Sequence, residues 1–90
     1  MNMYRIAAQV SIYPLRQDNL SPAINALLKA FAQHGLESQE GPMSTLIWGD
    51  DEQVFRACLD GFRNAASLGE AVLVMAISNA CPWPGTSNSG

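Results

Sequence analysis

Charged side chains are scarce in this chain of 90 residues, where they make up 14% of the total and only five of them are cations. The five cations are Arg5, Arg16, Lys29, Arg56 and Arg63, and they are dispersed along the sequence. Because no basic stripe exists that could follow a phosphate backbone, we expect no nucleic-acid partner.

Long apolar runs and a leader sequence are missing as well. No segment approaches the ~20 apolar residues that span a bilayer, and residues 1–12 have neither the basic start nor the cleavage site of a signal peptide. The two cysteines, Cys58 and Cys81, form no Cys-x-x-Cys pair, and we expect two free thiols. The sequence therefore predicts a cytoplasmic protein with no membrane partner.

Residues suited to catalysis or to metal binding are few. His34 is the single histidine, and at the end of a predicted helix it complements the helix dipole. Asp50, Asp51 and Glu52 form an acidic cluster, but such a cluster is ordinary at the start of a helix. No Gly-x-Gly phosphate loop occurs. We expect no catalytic residues, no metal site and no cofactor, in a protein that is not an enzyme.

Hydrophobic periodicity predicts six elements in the order strand, helix, strand, strand, helix, strand. Strands are expected at residues 4–13, 36–40, 43–48 and 71–77, where side chains alternate or β-formers cluster. Two apolar stripes with the spacing i, i+3, i+4, i+7 predict the helices, the first of which starts with Ser21 as its N-cap. The stripes consist of Ile24, Leu27, Leu28 and Phe31, and of Phe55, Cys58, Leu59 and Phe62.

This order of elements predicts an α+β fold of the ferredoxin-like βαββαβ type, with a four-stranded antiparallel sheet and two helices on one face. We assign residues 1–82 to this single domain and residues 83–90 to a C-terminal tail. The last strand is apolar on both sides, unlike a half-solvated strand. We therefore expect self-association through the sheet to a dimer or tetramer; the alternative is that the loops and the tail at Trp83 cover the sheet.

Neutral hydrogen-bonding side chains and aromatic rings gather around the first strand in this topology. Amides and hydroxyls pair with ring nitrogens and with an exocyclic amine, and aromatic faces stack on flat rings, so this mixture suits a planar heteroaromatic ligand. The same groups would also suit hydrogen bonds across a subunit interface. The predicted ligand-binding residues are Gln9, Ser11, Tyr13, Ser44, Thr45, Trp48, Ser78 and Asn79.

Four short motifs occur in a fixed order: AQVSIYPL at residues 8–15, GPMST at 41–45, Gly49 followed by Val-Phe at 54–55, and Val-Met at 74–75 followed by Cys-Pro at 81–82. Together they resemble the thiamine-binding YkoF-like family over almost the whole chain. The resemblance implies a ferredoxin-like domain that binds thiamine or its hydroxymethylpyrimidine moiety without transforming it. The residues that match the family pattern best are Ser11, Tyr13, Ser44 and Thr45.

The leading hypothesis from sequence is thus a non-catalytic binder of thiamine (vitamin B1) or a related hydroxymethylpyrimidine, acting in salvage, delivery or sensing. An oligomeric regulatory or interaction module without a small-molecule ligand is a second hypothesis. The third is an acylphosphatase-like hydrolase, a class that shares the topology and uses an arginine after the first strand. Arg16 occupies that region, but the loop lacks the glycine that would bring backbone N–H groups around an anion.

Overall fold

The structure is a computed structural model that describes residues 5–80. Its elements follow the predicted order, and among these residues neither helix is long and apolar enough to cross a bilayer. The predicted tail at residues 83–90, Cys81 and the domain boundary at residue 82 lie outside the described part. The elements are β1 (Arg5–Pro14), α1 (Ser21–Gln33), β2 (Glu37–Glu40), β3 (Thr45–Asp50), α2 (Asp51–Ala66) and β4 (Ala71–Ser78).

The four strands form one antiparallel sheet in the order β2-β3-β1-β4. Consecutive strands are not all neighbours, because each helix carries the chain across the sheet, which is the ferredoxin-like arrangement. The α+β fold predicted from periodicity is confirmed. Since β1 lies between β3 and β4, β2 and β4 form the two edges of the sheet.

The strand register separates the two faces of the sheet. Ile6, Ala8 and Val10 of β1 are buried and belong to the core that the helices cover. Their neighbours along β1 point to the other side, which we call the open face. The open face carries Ala7, Gln9, Ser11 and Tyr13 of β1, Leu46 and Trp48 of β3, and Val72, Val74, Ala76 and Ser78 of β4.

The start of α1 differs from the prediction by one residue. Leu20 is the N-cap and Ser21 is the first helical residue, so the assignment of Ser21 as the cap is wrong. The reason is local: the Asn19 side-chain oxygen accepts a hydrogen bond from the Ser21 backbone N–H at 3.1 Å and so takes the role of a cap. At the other end of the helix, Gly35 adopts the left-handed conformation that is common just after a helix, with φ of +71°.

The buried face of α2 also differs from the prediction. The stripe of large residues was expected to face the core, yet Phe55 and Leu59 are 53% and 48% exposed. The helix instead packs against α1 with small residues, and a Cβ atom at Gly61 would lie 2.6 Å from Leu27 Cδ1. This close approach rotates the large side chains toward β4. The buried residues of α2 are Val54, Ala57, Cys58, Gly61 and Ala65.

Candidate ligand-binding site

The turn between β2 and β3 brings together the polar residues that the sequence singled out. The Gly41 N–H donates to the Ser44 carbonyl oxygen at 2.8 Å, which closes a tight hairpin. Two side chains of β1 fasten this hairpin to the sheet. Gln9 Nε2 donates to Ser44 Oγ at 3.1 Å, and Ser11 Oγ donates to the Met43 carbonyl oxygen at 3.2 Å.

Two adjoining cavities flank the hairpin and share Glu40, Gly41 and Ser44 in their linings. We call them together the hairpin site. The inner cavity, of about 120 Å³, lies on the side of the sheet that the helices cover. The outer cavity, of about 280 Å³, lies on the open face. A cavity of ~150 Å³ holds benzene, so the inner cavity has roughly the size of one six-membered ring.

The inner cavity combines an apolar wall with hydroxyl groups. Its apolar wall includes Ile12 from β1 and Ile24 and Leu27 from α1. Ser11, Ser44 and Thr45, which carry hydroxyl groups, also line this cavity. The outer cavity is lined by Gln9, Gln39 and Leu46 beside the shared residues. Such linings bind a flat ligand through its faces and fix its orientation through a few hydrogen bonds.

The hairpin site is acidic rather than basic. Among the residues of 5–80 that line its cavities, Glu40 alone is charged. All five Lys and Arg residues of the chain fall within the described part, and none of them lines either cavity. Arg16 forms an ion pair with Glu70, and Arg56 lies 3.5 Å from Glu52. The site therefore favours a neutral or cationic ligand over an anionic one.

The structure gathers half of the predicted site residues at the hairpin. Gln9, Ser11 and Ser44 meet there on the open face or at its rim. Thr45 lies beside them but is only 6% exposed and points to the helix side, opposite Val10. Alternation along β3 therefore places Thr45 on the other face of the sheet from Leu46.

The remaining predicted residues lie away from the hairpin cavities. Tyr13 is 46% exposed on the open face, paired with Val72 of β4. Trp48 and Ser78 flank Ala7 at the other end of the sheet, and Asn79 follows the last residue of β4. The Trp48 indole N–H donates to Glu37 Oε1 at 2.7 Å, which holds the ring on the open face.

Sequence reasoning missed Glu40 as a site residue. The sequence analysis assigned Glu40 only to the second strand. It included Thr45, the partner of Glu40 across the hairpin, among the site residues. The Gly41-Pro42 turn was the available signal, because a tight hairpin sets the residue before the turn beside the residue after it. The turn that positions Ser44 therefore also places the Glu40 carboxylate at the site.

The titratable groups of the helical layer have structural partners. His34 Nε2 lies 2.7 Å from Asp60 Oδ2, and Gln53 Nε2 donates to the His34 carbonyl oxygen at 2.5 Å. Burial raises the pKa of the Cys58 thiol to about 11, so the group is protonated at neutral pH. Within residues 5–80, no three His, Cys, Asp or Glu side chains are grouped so that they could hold a metal ion.

With this geometry established, comparison with known proteins gives a clear family. The sequence model of the family described as thiamine-binding protein matches residues 8–78, which is most of the chain. The chain belongs to this thiamine-binding protein family. The resemblance inferred from the motifs around Ser11 and Ser44 is thereby confirmed. Among curated proteins, none matches the sequence.

Solved structures share the fold at low sequence identity. A hypothetical protein of Methanocaldococcus jannascii has a TM-score of 0.79 at 20% identity, with 97% of this chain and 89% of that chain covered. A protein of Thermotoga maritima, provisionally assigned to thiamine biosynthesis or salvage, has a TM-score of 0.73 at 19% identity, with 81% of each chain covered. A domain of unknown function from Bacillus cereus has a TM-score of 0.75 at 14% identity, with 97% and 84% covered. These likenesses support the ferredoxin-like fold.

Proposed function

We propose that the protein binds thiamine or its hydroxymethylpyrimidine moiety at the hairpin site, without transforming it. The observation that carries the proposal is the meeting of Gln9, Ser11 and Ser44 beside a cavity the size of one ring, in a chain of the thiamine-binding family. The role that follows is salvage, delivery or sensing of vitamin B1 in the cytoplasm, by a dimer or tetramer.

The chemistry of an aminopyrimidine suits the groups that line the two cavities. Its ring nitrogens accept hydrogen bonds, and its exocyclic amine donates them. The Ser44 hydroxyl accepts from Gln9 and so can donate its own O–H to a ring nitrogen, and the Glu40 carboxylate can accept from the amine. The apolar wall from α1 supports one face of the ring, as in ordinary small-molecule sites.

The charge of the site favours the unphosphorylated vitamin. Thiamine carries a positive thiazolium ring, which the Glu40 carboxylate attracts. Its diphosphate adds negative charge, and no lysine or arginine lines either cavity within residues 5–80. We therefore expect the affinity to fall from thiamine to thiamine diphosphate, with neutral hydroxymethylpyrimidine between them.

Isothermal titration calorimetry with these three compounds tests the proposal. The informative variant is Ser44→Ala, because it removes a hydroxyl shared by both cavities and the acceptor for Gln9. We expect thiamine to bind about three- to tenfold more weakly, as for the loss of one hydrogen bond. The matched control is Ser38→Ala on β2, an exposed serine outside the cavity linings, and its affinity should equal that of the wild type. Absence of heat with all three compounds up to millimolar concentration contradicts the proposal.

A further inference from the structure

The hairpin site has an apolar wall for one face of a ring but no aromatic side chain for the other face. Among residues 5–80, no Phe, Tyr or Trp lines either cavity. Tyr13 and Trp48, the aromatic residues predicted to bind the ligand, lie elsewhere on the open face. Small-molecule sites enclose most of the surface of their ligand. A ring in the inner cavity therefore needs a cover from a side chain that is not aromatic.

Met43, between β2 and β3 in the hairpin, is placed to provide this cover. It lines the inner cavity, and it is 76% exposed, the highest value among the large apolar residues of 5–80. A residue that borders a cavity and is still mostly exposed lies at the mouth of that cavity. Because an apolar side chain in water is unfavourable, closing it over a ligand lowers the free energy of the complex.

The backbone at Met43 is held in place, whereas its side chain has room to turn. Ser11 Oγ donates to the Met43 carbonyl oxygen at 3.2 Å, and the bond from the Gly41 N–H to the Ser44 carbonyl oxygen closes the hairpin around it. Methionine is unbranched, has three rotatable side-chain bonds, and carries a polarisable thioether that packs favourably against aromatic rings. The thioether can therefore reach a bound ring without any movement of the main chain.

We propose that the Met43 side chain closes over the mouth of the inner cavity when a ring is bound there, so that Met43 is a ligand-binding residue of the hairpin site. The ring then lies between the thioether and the apolar wall that contains Ile24 and Leu27. The inference rests on the proposed function, because it concerns the same site. It adds a contact from a side chain that was not among the predicted site residues.

Oxidation by hydrogen peroxide reports the exposure of this thioether. Peroxide transfers one oxygen atom to the sulfur: an S–O bond forms, the O–O bond breaks, and the products are methionine sulfoxide and water. In the free protein, Met43 should be oxidised faster than Met75, which packs against the core. Saturating thiamine should slow the oxidation of Met43 about fivefold and leave Met75 unchanged. Trypsin places the two methionines in different peptides, residues 30–56 and 64–90, so tandem mass spectrometry resolves them.

Calorimetry on variants of Met43 tests the same contact independently. Met43→Ala removes the cover, and we expect thiamine to bind about tenfold more weakly. Met43→Leu keeps an apolar side chain of similar volume and should bind within about threefold of the wild type. The matched control is Leu68→Ala, which shortens a half-exposed leucine outside the cavity linings and should bind as the wild type does. Circular dichroism checks that all three variants are folded.

The two measurements separate this inference from the proposed function. If Met43→Ala binds thiamine as tightly as the wild type does, the inference is overturned and the proposed function stands. Oxidation of Met43 at the same rate with and without bound thiamine overturns the inference as well. If the wild type binds neither thiamine, its diphosphate nor hydroxymethylpyrimidine, the proposed function fails and the inference fails with it. Protection of Met43 by thiamine, together with weaker binding by Met43→Ala, supports the inference.

Discussion

The two edges of one sheet have opposite character. β2 is four residues long, every residue of it is exposed, and it carries Glu37 and Glu40. β4 is twice as long, contains no charge, and exposes valines on the open face. Both strands pair antiparallel with a central strand, so backbone geometry alone does not distinguish them. The difference lies in length and side chains, which decide whether an edge can accept another strand.

This contrast assigns a separate role to each edge. A short acidic edge is poorly suited to pairing with another strand, and the two cavities lie at the hairpin where this edge ends. A long apolar edge gains by being covered. The hairpin site lies at the β2–β3 turn, whereas the apolar edge lies on the far side of β1, where Ser11 pairs with Val74.

The largest predicted difference between the two edges is in how much a substitution on each lowers the free energy of unfolding. Leu73 of β4 packs against the core, whereas Ser38 of β2 is exposed. Leu73→Ala should lower the free energy of unfolding by about 3 kcal/mol, because it leaves a cavity beside α2. Ser38→Ala should change it by less than about 0.5 kcal/mol. Urea denaturation of both variants measures the difference, and equal losses would refute the assigned contrast between the edges.

The next effect is a pH dependence of stability caused by the Cys58 thiol, which lies in the groove between α2 and β4. The folded state keeps Cys58 protonated until a pKa of about 11, whereas an unburied thiol ionises near 9.0. Between these values the unfolded state binds fewer protons, so stability falls as pH rises from about 9 to 11. This difference in pKa corresponds to a loss of about 2–3 kcal/mol in the free energy of unfolding. We expect Cys58→Ala to lack this loss when denaturation curves are compared in a Cys81→Ser background, and parallel pH profiles would contradict the burial assigned to Cys58.

The strands and their order follow from the sequence because alternation and turn residues are local signals. β1 ends at Pro14, and Gly41 and Pro42 lie between β2 and β3, so proline and glycine mark these boundaries directly in the sequence. The apolar stripe predicted for α2 is only partly buried: Cys58 belongs to the core, whereas Phe55 and Leu59 are exposed. The spacing of large residues does not reveal that α1 approaches at Gly61, because that contact joins residues far apart in the sequence.

The positions of the candidate residues were predicted in part, and their role in binding a ligand stays a prediction. Gln9, Ser11 and Ser44 lie together in the structure, because β1 and β3 are neighbours as the predicted topology requires. The start of β3 was predicted less accurately. The sequence placed that start at residue 43, and the structure places it at Thr45. A boundary shift does not move a residue between faces by itself, but it hides which residue belongs to the turn.

A smaller effect is expected at the acidic edge. Glu40→Gln keeps the size of the side chain and removes its charge, so thiamine should bind about two- to fivefold more weakly, in keeping with an exposed charge pair. The loss should shrink at high salt and should be smaller for neutral hydroxymethylpyrimidine. Calorimetry at two salt concentrations measures both trends. The association state should not change, because Glu40 lies on the edge away from β4. A change in the sedimentation of this variant would mean that the two edges do not act independently.

An effect of similar size is predicted for the hydrogen bond between β2 and its neighbour β3. Glu37 Oε1 accepts from the Trp48 indole N–H at 2.7 Å across the β2–β3 pair. Glu37→Ala should lower the free energy of unfolding by about 1 kcal/mol, while Glu37→Gln keeps an acceptor and should lose less. In a Trp83→Phe background, Trp48 fluorescence should shift to longer wavelength in the alanine variant only. Because a four-residue edge strand has few other contacts, an unchanged spectrum and stability would mean that backbone pairing alone holds β2 in place.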